Sequence, residues 1–169
     1  DRLGEVAPRK FPRLLAGDDQ TPVTEGSGRL QLAKWLTSPG NPLTARVMVN
    51  RIWQHHFGEG IVRTANNYGK LAQPPTHPEL PDSLGHPLVE SGWSVKAMHR
   101  AIMLSAVYQQ SSTTRAATLS ADPENKWFGR MNRRPLDAES LRDGLLTAAG
   151  RLDLTLGGPA IRDLDNTRR

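Results

Sequence analysis

The chain contains no cysteine. Within these residues there is therefore no disulfide, thiolate zinc site, iron–sulfur cluster, covalently attached c-type haem or cysteine nucleophile. Long hydrophobic runs are missing too. No uncharged apolar stretch approaches the ~20 residues that a membrane-spanning helix needs, so no span is expected. No basic–apolar–small leader opens the chain, which starts at Asp1, and it is expected to be part of a longer protein. Alternation of apolar and polar residues over a useful length, the signature of a half-buried strand, is absent as well.

What is present is a chain of 169 residues, 37% hydrophobic, with 13 prolines and 15 glycines. That suffices for one modest core. The formal charge is +5, and 17 of the 22 basic residues are arginines. The charge is spread along the chain and interleaved with acids such as Asp137, Glu139 and Asp143. Dispersed arginine of this kind points to ion pairing and helix contacts more than to a nucleic-acid surface. The tightest cluster is Arg130, Arg133 and Arg134, with Lys126 before it, and it is the local candidate for binding an anion.

Residues 1–26 are punctuated by Pro8, Pro12, Gly17, Pro22 and Gly26 and show no sustained period. They predict an extended arm, pinned by Phe11, Leu14 and Leu15. From Ser27 a helical domain is expected up to residue 165, followed by a tail over 166–169. Leu30, Leu32, Ala33, Trp35 and Leu36 predict a short helix closed by Pro39 and Gly40. Asn41–Pro42 is then a start signal, a capping acceptor followed by a proline whose missing N–H costs nothing.

Leu43 to Phe57 places Ala45, Met48, Val49, Ile52, Trp53 and His56 on one stripe, with Arg46, Asn50, Arg51 and Gln54 largely elsewhere. Gly58 closes it. Residues 58–92 hold ten glycines and prolines and predict a long irregular connection, in which a helix starting near Pro78 is obstructed by Pro81, Gly85 and Pro87. Ser94 caps a helix with Val95, Met98, Ile102 and Ala106 in one row. The polar run Gln109 to Thr114 predicts a loop. Asp122–Pro123 repeats the start signal and predicts a short helix with Trp127, Phe128 and Met131. Asp137 to Ala149 predicts a last helix with Ala138, Leu141, Leu145 and Ala148 inward, stopped by Gly150, before a turn at 157–159. The fold class is all-α, with about five helices and long Pro/Gly-rich connections.

Motifs that carry chemistry are scarce. His55 and His56 are adjacent, so on a helix their side chains diverge by about 100° and cannot share one ion. A helical zinc pair needs spacing of three or four, and no metal site is expected; His99 meets His56 only if the fold brings their helices together. There is no G-x-S-x-G elbow, no S-x-x-K, and neither a Walker nor a dinucleotide glycine motif. Glu139 and Asp143 share a helix with Arg142 and fit a solvated face. Core packing is the default for Trp35, Trp53, Trp93 and Trp127, and one exposed tryptophan would suffice for stacking on a carbohydrate.

Four word-like blocks are more specific: GRLQLAKWLTSPGNPLTARVMVNRIWQHHFGEGIVRT, PPTHPEL, VESGWSVKAMHRAIMLSAVYQQSS and DPENKWFGRMNRRPLDAESLRDGLL. In this order they resemble the C-terminal domain of unknown function of planctomycete-type surface proteins, over roughly residues 1–165. The resemblance implies an exported or cell-surface, multi-domain parent, often with a cytochrome-c-like domain, so that haem belongs to a separate domain and no cofactor is expected in this chain. It supplies no catalytic residues.

The function expected from these readings is a non-enzymatic helical interaction module, whose partners are other domains of the parent and an anionic polysaccharide or protein. One alternative is a polysaccharide-acting enzyme with a site near the 46–55 helix face and the 58–92 loop, using His55, His77 and Glu79. A second is nucleic-acid binding through Arg130, Arg133 and Arg134.

Overall fold

The computed structural model describes residues 7–155 and Gly157. The expectations for residues 1–6, for a turn at Gly158–Pro159 and for the tail lie outside them. The described residues are helical and contain no strand, as the all-α reading requires. Among the described residues seven helices follow one another: α1 (Arg13–Ala16), α2 (Arg29–Leu36), α3 (Thr44–Phe57), α4 (Leu80–Glu90), α5 (Val95–Met103), α6 (Ala116–Ala121) and α7 (Ala138–Ala148). They fall into two compact units, one running to Asn132 and the other starting at Arg133.

The first unit is organised by α3. Asn41 opens it as its spacing predicts: Oδ1 accepts the amides of Leu43 (3.0 Å) and Thr44 (3.2 Å). Gly58 closes it at φ +87°, a conformation that costs glycine least. Between these ends Val49, Ile52, Trp53 and Phe57 are buried, and α4 and α5 supply Leu88, Met98 and Ile102 to the same cluster. Phe57 is packed by aromatic rings: Trp53 stacks on it at 4.3 Å, Phe128 meets it edge-on at 5.5 Å, and Tyr108 does so at 5.8 Å. Each such side chain contributes about 1.5–3 kcal/mol by leaving water, so this cluster is where the unit's stability resides.

Three expectations are corrected. First, the segment after Pro78 is a helix despite its breakers. Pro81 occupies the first turn of α4, where no amide is needed. At Gly85 the helix runs close to α3, since an added methyl would lie 3.5 Å from Ala45 Cβ. Pro87 does sit inside the helix, and burial of Pro81, Gly85 and Leu88 offsets the bond it removes. A bidentate pair of Arg46 on Asp82 joins α3 to α4, with Nη2 2.9 Å from Oδ2. Each partner sharpens the other: the Asp82 hydrogen bond raises the Arg46 pKa, and the Arg46 hydrogen bond lowers that of Asp82. Both side chains are about half exposed, so such a pair is worth at most ~1 kcal/mol.

Second, Asp122–Pro123 does not start a helix. The Asp122 carboxylate accepts the amides of Lys126 (2.8 Å) and Trp127 (2.9 Å), farther along than a helix cap reaches. Asn125 and Phe128 then take positive φ, 51° and 52°, which no helix continues through. Buried Asn125 closes the loop, donating from Nδ2 to the Arg130 carbonyl at 2.8 Å. A short helix, α6, instead precedes Asp122. Third, the arm is not wholly extended. It contains α1, and Phe11 stacks on Trp35 at 4.9 Å with the rings 5° from parallel, whereas Leu14 points into solvent.

The second unit contains α7, where prediction and structure agree on the helix and differ on its face. Asp137 Oδ1 accepts the Ser140 amide at 2.6 Å, and Gly150 ends the helix at φ +65°. Yet no residue of α7 is buried, and Leu141 and Leu145 are 52% and 65% exposed.

Candidate functional site

The polar residues of α3 divide between scaffold and surface. Asn50, placed off the apolar stripe by its sequence position and grouped there with surface polar residues, is 1% exposed. Its side chain forms both bonds of a strand-like pair with one residue: Oδ1 accepts the Val62 amide at 2.8 Å, and Nδ2 donates to the Val62 carbonyl at 3.0 Å. Gly60 makes this approach feasible, because a Cβ there would lie 2.6 Å from the Val62 carbonyl and 2.7–2.8 Å from the Asn50 amide group. Asn50 thus fastens the loop after α3 to the core. Its hydrogen-bonding capacity is turned toward backbone.

The candidate acid–base residues lie around this scaffold. His55 is exposed on α3, Glu79 is exposed just before α4, and His77 is half-buried two residues earlier. His77 Nδ1 lies 3.0 Å from Thr76 Oγ1, and its ring is 6.0 Å from that of Phe128. The imidazoles that the fold does unite are His56 and His99, with Nε2 of one 2.7 Å from Nδ1 of the other and Tyr108 edge-on to His56 at 5.4 Å. In that contact one ring donates and the other accepts, so at least one of the two is neutral. Among the described residues no three histidines or carboxylates converge in a way that would hold a metal ion.

The three candidate arginines are not equivalent. Arg130 belongs to the first unit, where Nη1 donates to the Asp122 carbonyl (3.1 Å) and Nη2 to the Pro123 carbonyl (2.9 Å). Arg133 and Arg134 start the second unit and are exposed. Burial alone would push the Asp122 carboxyl up. The amides of Trp127 and Lys126, with the charges of Arg130 and Arg63, outweigh it and hold that carboxyl below its usual range. The Asp122 loop thereby fixes the Arg130 guanidinium from both sides.

An apolar opening lies elsewhere in the first unit. A groove of about 560 Å³ runs between α2 and the outer shoulder of α3, lined by Trp35, Leu43, Val47, Met48, Arg51 and Trp93 among others. Met48, read from sequence as an inward residue, is 40% exposed in its wall. Trp93 reaches the groove through a defined turn. At the end of α4 its amide bonds the Leu88 carbonyl at 2.8 Å and the Gly92 amide bonds that of Val89 at 3.0 Å, the paired closure of a Schellman motif. Trp93 itself sits at φ +64°, a conformation that a bulky residue holds only under constraint. Of the four tryptophans Trp53 is buried, Trp35 and Trp93 are half-buried at the groove, and Trp127 is 62% exposed.

Sequence reasoning misses the groove because Trp35 and Trp93 lie 58 positions apart, and nothing local marks them as neighbours. It misses Asn50 because helical periodicity assigns polar residues to the wet face.

The chain belongs to the PSD1 family, a protein family of unknown function (DUF1553), whose model matches residues 28–169. No curated protein and no solved structure matches it.

Proposed function

We propose that this member of the PSD1 family is a non-enzymatic helical interaction module of a multi-domain bacterial cell-surface protein, and that it binds another domain of its parent through the groove between α2 and α3. The observation that carries the reading is the groove's chemistry. Its walls are the apolar faces of Trp35, Leu43, Val47, Met48 and Trp93, and a single charged side chain, Arg51, lines it. Half-buried tryptophans and a methionine supply contact area at low conformational cost and are the side chains that dominate binding surfaces. The one cation selects the occupant: an apolar polypeptide segment carrying a carboxylate that reaches Arg51. The polar groups of α3 and its loops support a binding role in a second way. Asn50, Asn125 and Asp122 are spent on backbone amides and carbonyls, so they hold the scaffold in place and are not offered to a substrate.

Met48→Glu tests this, since Met48 is exposed enough for the fold to tolerate a carboxylate. Titration of the chain with the remaining domains of its parent, followed by tryptophan emission, is expected to saturate. In the variant the affinity falls at least ~10-fold, the 1.4 kcal/mol or more that an anchor in a buried contact contributes. Undiminished affinity in Met48→Glu, or no saturable binding in the unchanged chain, contradicts the proposal.

A further inference from the structure

A second opening of the first unit differs from the groove in every chemical respect. It is a cavity of about 290 Å³ walled by Ser111, Thr113, Arg115, Thr118, Gly129 and Arg130, together with Gln110. Its lining contains two arginines, three hydroxyls and no carboxylate. We propose that this cavity binds a tetrahedral oxyanion, a sulfate or phosphate group carried as an ester on a larger polyol.

The geometry supports this in three ways. Arg130 is already oriented. Two of its five N–H groups are held by the carbonyls of Asp122 and Pro123, its own carbonyl accepts from Asn125, and three N–H groups remain for a ligand. Little ordering cost is then left to meet on binding. Arg115 forms no ion pair with a carboxylate among the described residues, although Arg13, Arg46, Arg63, Lys126 and Arg142 each do. The Asp122 carboxylate that feels the Arg130 charge is not among the residues lining the cavity, so two guanidinium groups face it with no carboxylate in its wall, a setting that favours an anion. The hydroxyls are also pre-set. Ser111 Oγ accepts the Thr113 amide at 3.0 Å and donates to Thr113 Oγ1 at 2.9 Å, so the Thr113 proton is the one left to point at a ligand.

The size limits the ligand. This volume lies at the bottom of the range for small-molecule sites, about 300–1,000 Å³, and fits the charged group and its point of attachment. The rest of the polyol lies outside the cavity. The inference rests on Arg115, Arg130 and the hydroxyls, independently of the groove.

The test is titration of the chain with sodium sulfate, and separately with inorganic phosphate, at constant ionic strength made up with sodium chloride. The amide resonances of Thr113 and Gly129 are followed. Saturable shifts are expected with at least one of the two anions and not with chloride alone, and the tighter of the two identifies the ester. Arg115→Gln is expected to weaken the binding at least ~10-fold and Arg115→Lys less, since lysine keeps the charge and loses the planar fork. Because Arg115 holds no ion pair among the described residues, thermal unfolding of both variants should match that of the unchanged chain, which separates loss of the site from loss of the fold. Shifts that rise linearly, that chloride reproduces, or that persist unchanged in Arg115→Gln overturn the proposal.

Discussion

α3 and α7 begin and end with the same devices. α3 starts where Asn41 accepts two amides and stops at Gly58; α7 starts where Asp137 accepts the Ser140 amide and stops at Gly150, with the Arg151 amide bonded back to the Leu146 carbonyl at 2.8 Å. Both place apolar residues at spacings of three and four. α3 buries Val49, Asn50, Ile52, Trp53 and Phe57, whereas α7 buries nothing. Caps and period specify that a helix forms, because they act within one or two turns. Whether its apolar stripe becomes core depends on which segments arrive to cover it, and for α3 these include Leu88, Met98, Ile102 and Phe128, 31 to 71 positions beyond Phe57. An isolated helix of α7's length is marginal in water, so the two differ in what sustains them more than in how they are written.

That contrast can be broken from the α3 side. Asn50→Ala removes a side chain that satisfies two buried backbone groups at once, and each group left unsatisfied costs about 1–3 kcal/mol. A loss of about 2–4 kcal/mol is expected in urea denaturation, with the slope unchanged. A change below ~0.5 kcal/mol would show that the Val62 loop holds itself in place.

A smaller effect tests the Asp122 loop. The folded carboxyl titrates below its usual value, so its contribution is complete above the unfolded pKa of about 3.9 and disappears as pH falls through the folded pKa. Asp122→Asn should therefore cost about 1 kcal/mol at neutral pH, with the gap between the two proteins closing below about pH 4. Urea midpoints between pH 7 and pH 3 give the answer, and a gap independent of pH would assign the role of Asp122 to shape alone.

Much of the architecture is legible residue by residue. Asn41, Gly58, Ser94, Asp137 and Gly150 sit at helix ends where local chemistry places them. The helix after Pro78 is not, because its prolines argue locally against what burial of Leu88 and contact with Ala45 decide globally. Nor is the Asp122 loop, where the same cap-then-proline word opens a turn instead of a helix. The candidate sites follow the same division. Arg130 stands out by its charged neighbours, but the partner that shares its cavity, Arg115, lies 15 positions before it and past a helix. Trp35 and Trp93 are visible as tryptophans and become a groove only in three dimensions. Asn50 is misplaced by any reasoning that sends polar residues of an amphipathic helix to solvent.

Stability in this chain resides in the cluster around α3, whereas α7 is well specified locally and none of its residues is buried by the described residues. Native-state hydrogen exchange on the whole chain tests it most directly, since amides in a packed core open only with global unfolding and those of an uncovered helix open locally. The amides of Ile52, Trp53 and Phe57 are expected to exchange with the full unfolding free energy, and those of Leu141 and Leu145 far faster and independently of it. Equal protection in the two helices would contradict it.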